Sequence, residues 1–538
     1  MNKDRPPLLS PTIRRHSLGL GLLALVLFIA GSWHQAIIGF DSRFVLFAQE
    51  MLRHGPGFFP TTYGQPYADY LATSTLLTWL LSLPLGQVTS LTAWLPTAMA
   101  SACIVILVYR LTAPYSQRWG LLSIAILLLS STFISETRSV SLDQMLAAIA
   151  LTVFYLGYAH DHFGASKRLH WLYLLLILGF AVRGPIGLVI PTGMLCSYYL
   201  INRQWRPLFS FGLLALALLV ACVGLLLLMA KLSGGESFMQ DVIRMQFLGR
   251  MDGSEGSSGV LYYFTSSLGN YAMAYPLALL VLLAMVISGR RAPGPALQLV
   301  WYCAAAGLLV MLGLSIPQAK KARYVLPMLP MAAMIAAYPF HVAHGRLFAW
   351  LRGLMLSIWT LLPTLLIVGL LFARPRYPQQ LSDLAWVFAV LAALQVLALL
   401  TLFKARPLGP AFAAVLAVWA TYILVVEPLE RSVYDTRTFT LQVHEQVTQQ
   451  RAPVVLHGLG KDAKAIKYMV NLNCDEVPLF TQQAADLKPI QGPAWLVMSE
   501  ADYQGLQDPR FRAITPTLTG EFDRNPYVLL HLTKPAQP

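Results

Sequence analysis

Long apolar runs, separated by short polar turns, recur through roughly the first four fifths of the chain. A bilayer core needs about 20 apolar residues for an upright helix, and backbone groups inside it must bond within their own segment. The runs therefore predict thirteen helices, starting near Ser17, Thr92, Gly120, Leu142, Leu169, Ile186, Leu208, Tyr271, Leu297, Val325, Leu354, Leu384 and Ala411. Beyond them the pattern changes. Short β-like runs at PVVLHGLG (453–460), AWLVMSE (494–500) and YVLLHL (527–532) flank a helix-like DAKAIKYMV (462–470). That alternation predicts a small α/β domain. The chain thus divides into a transmembrane part, 1–427, and a polar tail, 428–538.

Composition narrows the class. With 56% hydrophobic and 12% charged residues in 538, soluble, fibrous and disordered proteins are excluded, leaving a polytopic α-helical membrane protein. The net charge of +14 does not mark a nucleic-acid binder. The tail holds 11 Lys and Arg against 12 Asp and Glu, so the excess lies in short loops between apolar runs. Short cytoplasmic loops retain Lys and Arg. An inside N-terminus puts Lys3/Arg5/Arg14/Arg15, Arg110/Arg118, Lys167/Arg168, Arg203/Arg206, Arg290/Arg291, Arg346/Arg352 and Lys404/Arg406 on the cytoplasmic side. Thirteen spans then carry the tail to the periplasmic side, together with loops 38–91 and 231–270. The first apolar segment reads as a retained helix, since no small-residue cleavage site precedes Asp41. The run 71–85, rich in Leu and containing Trp79, suits a helix lying on the membrane surface. None of the five cysteines implies a disulfide within the tail.

Some charges break the orientation pattern. Arg138, Arg183, Lys320, Lys321 and Arg323 fall at the outer ends of spans, where a cation facing a cavity can take a phosphate and one facing lipid only snorkels. Pairing with Glu136 or Asp143 is the structural alternative. Asp41 and Asp143 are the acidic counterparts at the same interface. Ionisable groups at membrane depth are costly, which makes both candidates for general-base or acceptor-orienting work. A solvated loop acid (Asp41) and a helix cap (Asp143) are the plainer readings.

Five segments in order resemble the polyprenyl-phosphate-sugar glycosyltransferases of type C (GT-C), in the branch of aminoarabinose lipid A transferases and bacterial relatives of protein O-mannosyltransferases. They are FDSRFVLFAQEMLRHG (40–55), YLATSTLLTWL (70–80), TRSVSLDQMLAA (137–148), FAVRGPIGLVIP (180–191) and SIPQAKKARYVLPMLP (315–330). The resemblance implies a GT-C-like fold with Asp41 as the leading catalytic carboxylate and Asp143 as its companion. It implies Arg138, Arg183, Lys321 and Arg323 as donor-phosphate ligands, with Lys320 beside them. Tyr67, Asp69, Tyr70 and Tyr324 are implied to line the same cavity, and Asp69 and Tyr67 lie where they could substitute for lost groups.

The chain departs from the family in three places. Ala72, Thr73, Ser74 and Thr75 stand where many relatives have Glu-Lys-Pro-Pro, Ser42 replaces the acidic residue often found after the first Asp, and no His occurs in 231–270. No cofactor is implied, and the last two departures argue against a divalent metal. The expected reaction is inverting transfer of a sugar from a polyprenyl-phosphate donor to a glycolipid, glycan or protein acceptor at the outer face of a bacterial inner membrane. A transporter or lipid flippase is the alternative; the chain lacks the paired repeats that would favour it. GLGKDAK in the tail lacks the spacing of a phosphate loop, so the tail is expected to be structural or to position the acceptor.

Overall fold

The computed structural model describes residues 10–164, 169–253, 256–288, 294–342, 344–472, 474–475, 477–490 and 492–533. Lys3, Arg5, Lys167, Arg168, Arg290 and Arg291, used above for orientation, lie outside the described residues. Helices stand at all thirteen expected positions. Among the described residues, eight are long and apolar enough to cross a membrane alone. Two further positions are bent pairs: Gln117–Leu128 with Ser131–Thr137, at 73°, and Tyr262–Asn270 with Ala274–Ile287, at 111°. The other three, Trp171–Arg183, Pro185–Ile201 and Leu329–Ala337, are shorter than an upright span. Apolar run length overstates the spans here because short helices pack inside the bundle, where protein rather than lipid covers their ends.

Side chains sort accordingly. The Leu142–Phe163 helix is 89% buried over its apolar window, whereas Ala385–Phe403 is 17% buried. Peripheral helices present Phe209, Phe372 and Phe403, each at least 70% exposed, as a lipid-facing surface. The surface run expected at 71–85 forms the Leu76–Ser82 helix between 3-10 turns, with Leu77, Leu80, Leu83 and Leu85 outward and Thr78 and Ser82 inward. Its exposed face is the apolar one, as a membrane-surface helix requires. The stretch 231–270, expected as a loop, is largely helical. The Trp205–Ile243 helix runs through it, broken at Gly234 and Gly235, and Tyr262–Asn270 follows.

The tail is an α/β unit. Its five strands lie in the order Leu479–Thr481, Val454–His457, Ala494–Ser499, Asn525–Leu532, Leu518–Phe522; the first three are parallel and the last two antiparallel to their neighbours. Two of these, Leu479–Thr481 and Leu518–Phe522, and the helix Arg437–Gln449 were not anticipated. The boundary also differs. The last span continues through a π turn at Tyr422–Val426 to Val433, so residues on both sides of 427 share one helical rod.

The tail is anchored on the helix Asp41–His54. Arg43 donates to the Asp462 carbonyl at 3.1 Å, Gln49 to Val470 at 3.1 Å and Arg53 to Cys474 at 2.8 Å. Leu46 and Tyr63 join the tail's apolar core around Phe439, Val443 and Trp495. Glu50 secures the intervening hairpin, Thr61–Thr62 with Gln65–Pro66, by accepting from the Thr61 hydroxyl and the Tyr63 and Gly64 amides. One amphipathic helix therefore fixes the tail against the bundle end.

Candidate active site

Three interruptions of regular structure deliver charge to that end. The Trp171–Arg183 and Pro185–Ile201 helices form a tight hairpin whose only joint is Gly184, at φ 65° and ψ −150°, a conformation that disfavours any side chain. Gly179 and Gly187 let the two helices touch, since a Cβ on either would strike the other's carbonyl. Arg183 consequently ends the first helix at the turn. The sharp bend after Leu128 brings Glu136 and Arg138 to the same level, and the strand-like Lys321 precedes the 3-10 turn Ala322–Met328 carrying Arg323.

Asp143 binds two of these cations. Arg183 donates to its Oδ1 at 3.0 Å and its Oδ2 at 3.4 Å, and Arg323 approaches Oδ2 at 3.1 Å. Asp143 and Arg183 are buried while Arg323 is partly exposed. Ion pairing leaves guanidinium edges for a further anion but occupies the carboxylate, so Asp143 is placed to position Arg183 and Arg323 rather than to take a proton.

Asp41 is held differently. Its Oδ2 accepts the Trp94 indole N–H at 2.9 Å and its Oδ1 the Val140 amide at 3.1 Å, with no direct ion pair among the described residues. Burial pushes its carboxyl up to about 6, against the lowering effect of those two hydrogen bonds and of Arg431 and Arg323. An acid with that value is poised between donor and acceptor roles near neutral pH.

A cavity of about 340 Å³ opens between these groups. Asp41, Glu136, Asp143, Arg183 and Arg323 line it. The end of the last span adds Glu427, Glu430, Arg431 and Tyr434, and the tail adds Lys467. Beside the cavity, Phe40 is ringed by cations: Arg323 lies 4.5 Å from its ring centre, Arg43 5.1 Å and Lys321 6.0 Å. Partial desolvation, then Arg323, pushes Lys321 below the ordinary lysine value; Asp69 opposes this, and Arg183 and Arg43 reinforce it.

Two expected phosphate ligands are engaged by protein groups. Arg138 lines the cavity, but both terminal nitrogens of its guanidinium are taken: it pairs with Glu427 at 2.5 Å and donates to the carbonyls of Phe28 and Ala30 at 2.6 and 2.8 Å. The first helix ends at Ile29, leaving unpaired carbonyls that a buried Arg satisfies. Lys320 points away and donates to the Ser258 carbonyl at 3.0 Å. The tyrosines expected on the cavity surface stand behind it. Tyr70 and Tyr324 place their rings 5.8 and 5.3 Å from the Arg183 guanidinium, and Tyr67 lies 5.3 Å from Arg43. Asp69 is taken by Arg250 at 3.0 Å. Thr73, in the segment departing from the family pattern, donates to the Ala181 carbonyl two residues before Arg183. Among the described residues, no three His, Cys, Asp or Glu side chains group closely enough to hold a metal ion.

Sequence reasoning missed Trp94, Arg43, Glu427, Glu430, Arg431, Tyr434 and Lys467. Arg43 sat inside a quoted motif, two residues after Asp41, and could have been found there. Glu427 and Arg431, four residues apart on a helix and bonded at 3.0 Å, had the spacing of an ion pair at the end of an apolar run.

Fold and site together define a multi-pass helical membrane protein with a charged cavity under an appended α/β domain. The model of the family described as dolichyl-phosphate-mannose-protein mannosyltransferase matches residues 74–231. The structure is similar to the crystal structure of ArnT from Cupriavidus metallidurans in the apo state, with a TM-score of 0.71 and 15% identity, covering 97% of this chain and 98% of that one. The same protein bound to undecaprenyl phosphate gives a TM-score of 0.69 at 15% identity, with the same coverage. These likenesses establish the shared fold across both the bundle and the tail. No curated protein matches the chain by sequence.

Proposed function

We propose that the chain is an inverting glycosyltransferase that moves a sugar from a polyprenyl-phosphate donor to an envelope acceptor: lipid A, another lipopolysaccharide or glycan part, or protein. It works at the periplasmic face of a bacterial inner membrane. The observation that carries this reading is the sharing of one cavity by Asp41, which has no direct ion pair among the described residues, and the Asp143-held pair Arg183 and Arg323. The family match and the fold shared with a protein crystallised with undecaprenyl phosphate support it.

In this mechanism the donor phosphate lies against Arg183 and Arg323, with Lys321 and Arg43 completing its charge balance. Asp41 takes the proton of the acceptor hydroxyl or amine as that atom bonds to the anomeric carbon. The bond from that carbon to phosphate oxygen breaks, and polyprenyl phosphate leaves with the electron pair. Cations fixed in advance at the leaving oxygen stabilise its developing charge without reorganising. Attack from the side opposite the phosphate inverts the anomeric centre. Asp143 acts through the arginines it orients, and Arg138 and Glu427 hold the cavity's frame.

Purified protein in liposomes containing an undecaprenyl-phosphate sugar separates transfer from transport. Sugar transfer to added envelope glycolipid, with stoichiometric release of undecaprenyl phosphate, is expected. Movement of the donor between leaflets without its consumption would overturn the reading.

A further inference from the structure

A second cleft, of about 520 Å³, lies on the other side of the wall bounding the reaction cavity. It sits between the bundle and the tail, a position where folding alone would favour apolar packing. Its lining is instead rich in hydrogen-bonding groups, with the amides of Gln35, Gln49, Gln87 and Asn471 and the guanidiniums of Arg53 and Arg437. No carboxylate lines it among the described residues. Gln35 donates its amide to Glu427 at 2.8 Å and Gln49 donates to Val470, but the carbonyl oxygens of both are buried without a hydrogen-bond partner among the described residues. Buried acceptors left so are costly to the fold, and a bound hydroxyl or an ordered water completes them.

The cleft and the reaction cavity are built from the same strands of chain. Ile37 faces the cleft and Ile38 the cavity; Arg437 and Tyr434 divide likewise, as do Val470 and Lys467. On the helix Asp41–His54, Asp41 lies in the cavity while Gln49, Leu52 and Arg53 lie in the cleft. Eight residues of helix separate Asp41 from Gln49, about 12 Å. Trp33 at the cleft's rim is more than half exposed, as is Leu85 next to Gly86 of the lining.

We infer that this cleft binds the saccharide of the acceptor. Amide side chains both donate and accept, matching neighbouring sugar hydroxyls, and the Arg437 guanidinium adds donors without repelling an acidic sugar, whereas Arg53 is spent on the Cys474 and Leu472 carbonyls and Asp475. The helix Asp41–His54 joins the two sites: a saccharide held at Gln49 lies about 12 Å from Asp41, so a short oligosaccharide bound in the cleft reaches the carboxylate over the rim between them. The inference rests on the transferase reading and extends it, assigning acceptor selection to the junction with the tail.

The test uses the full chain in nanodiscs and two separate ligands. Rough lipopolysaccharide and the water-soluble oligosaccharide obtained from it by deacylation probe the cleft; undecaprenyl phosphate probes the cavity. Wild-type protein is expected to bind the oligosaccharide. Gln87→Ala and Arg437→Ala, both at exposed positions that tolerate change, are expected to weaken it about tenfold together, with no matching change for undecaprenyl phosphate. Asp41→Asn retains oligosaccharide binding. Absence of oligosaccharide binding in the wild type, or equal binding in the two cleft variants, overturns the inference. Loss of undecaprenyl phosphate binding alone would instead count against the transferase reading. Tighter binding of the intact lipopolysaccharide identifies a membrane-anchored acceptor, and equal binding a soluble glycan; both support the cleft.

Discussion

The Trp94 indole N–H points at Asp41 Oδ2 from 2.9 Å, and on the face of the same indole, 4.3 Å from its centre, lies the Arg431 guanidinium. The candidate base is therefore fixed by a ring that is itself held by the last span. Arg431 is bonded to Glu427, and Glu427 to Arg138. An unbroken set of contacts links the carboxylate to the ends of the first and last apolar helices, and explains why charges so distant in sequence occupy one place.

Asp41 sets the acidic side of the pH profile. With its carboxyl pushed up to about 6, it loses its proton as pH rises through that value, and only the ionised form accepts one. Transfer measured as kcat/KM is expected to fall about tenfold per pH unit well below 6 and to level off above about 7. Trp94→Phe removes a hydrogen bond to the ionised form and moves this limb to higher pH. An unchanged limb in Trp94→Phe would dissociate it from Asp41.

The alkaline side follows from Lys321. Desolvation and then Arg323 lower its proton affinity, with Asp69 opposing and Arg183 and Arg43 adding to the effect, so it loses its charge at a lower pH than an ordinary lysine. Donor affinity is expected to weaken on that limb. Lys321→Arg keeps the charge and extends the plateau upward, whereas Lys321→Ala raises the donor KM by about tenfold at neutral pH without lowering Tm. Steady-state kinetics across pH 7–10 on the three proteins check this.

Removing Asp143 strands Arg183 beside another cation. Breaking a buried pair by deleting one partner costs about 3–5 kcal/mol. Asp143→Ala should accordingly lose both stability and transfer. Arg323→Lys, at a partly exposed position, should lose donor affinity with little change in thermal unfolding. Unfolding temperatures of the two variants in one detergent distinguish these effects.

Arg138 and Glu427 behave as structure rather than chemistry. Either residue replaced by Ala is expected to destabilise by about 3–5 kcal/mol, while Arg138→Met with Glu427→Leu recovers only part of the loss, because Arg431 and the Phe28 and Ala30 carbonyls lose their partners. Folded Arg138→Met/Glu427→Leu protein retains donor binding. If Arg138 variants instead unfolded normally and lost only donor affinity, Arg138 would return to the phosphate site.

Much of this site was legible because its residues break local rules. Asp41 follows an apolar run, Arg183 precedes Gly-Pro, and Arg323 sits where outer loops are poor in basic residues. Periodicity could not separate Arg183, which faces the cavity, from Arg138, which is spent on the carbonyls ending the first helix; both are arginines at the end of an apolar segment. The contribution of Glu427 through Lys467 was hidden for another reason. It depends on the last span running to Val433 and on the tail folding back over the helix Asp41–His54, which are matters of tertiary packing. The tail's strands at Leu479–Thr481 and Leu518–Phe522 were missed because these short edge strands bury a single residue each, Thr481 and Phe522, and carry no apolar run to read.

Cryo-electron microscopy of the full chain with undecaprenyl phosphate tests the central claim most directly. The phosphate is expected within hydrogen-bonding distance of Arg183 and Arg323, in the cavity that also contains the Asp41 carboxylate. A phosphate bound elsewhere, with Arg183 and Arg323 unchanged around Asp143 and no ligand density beside Asp41, would contradict it.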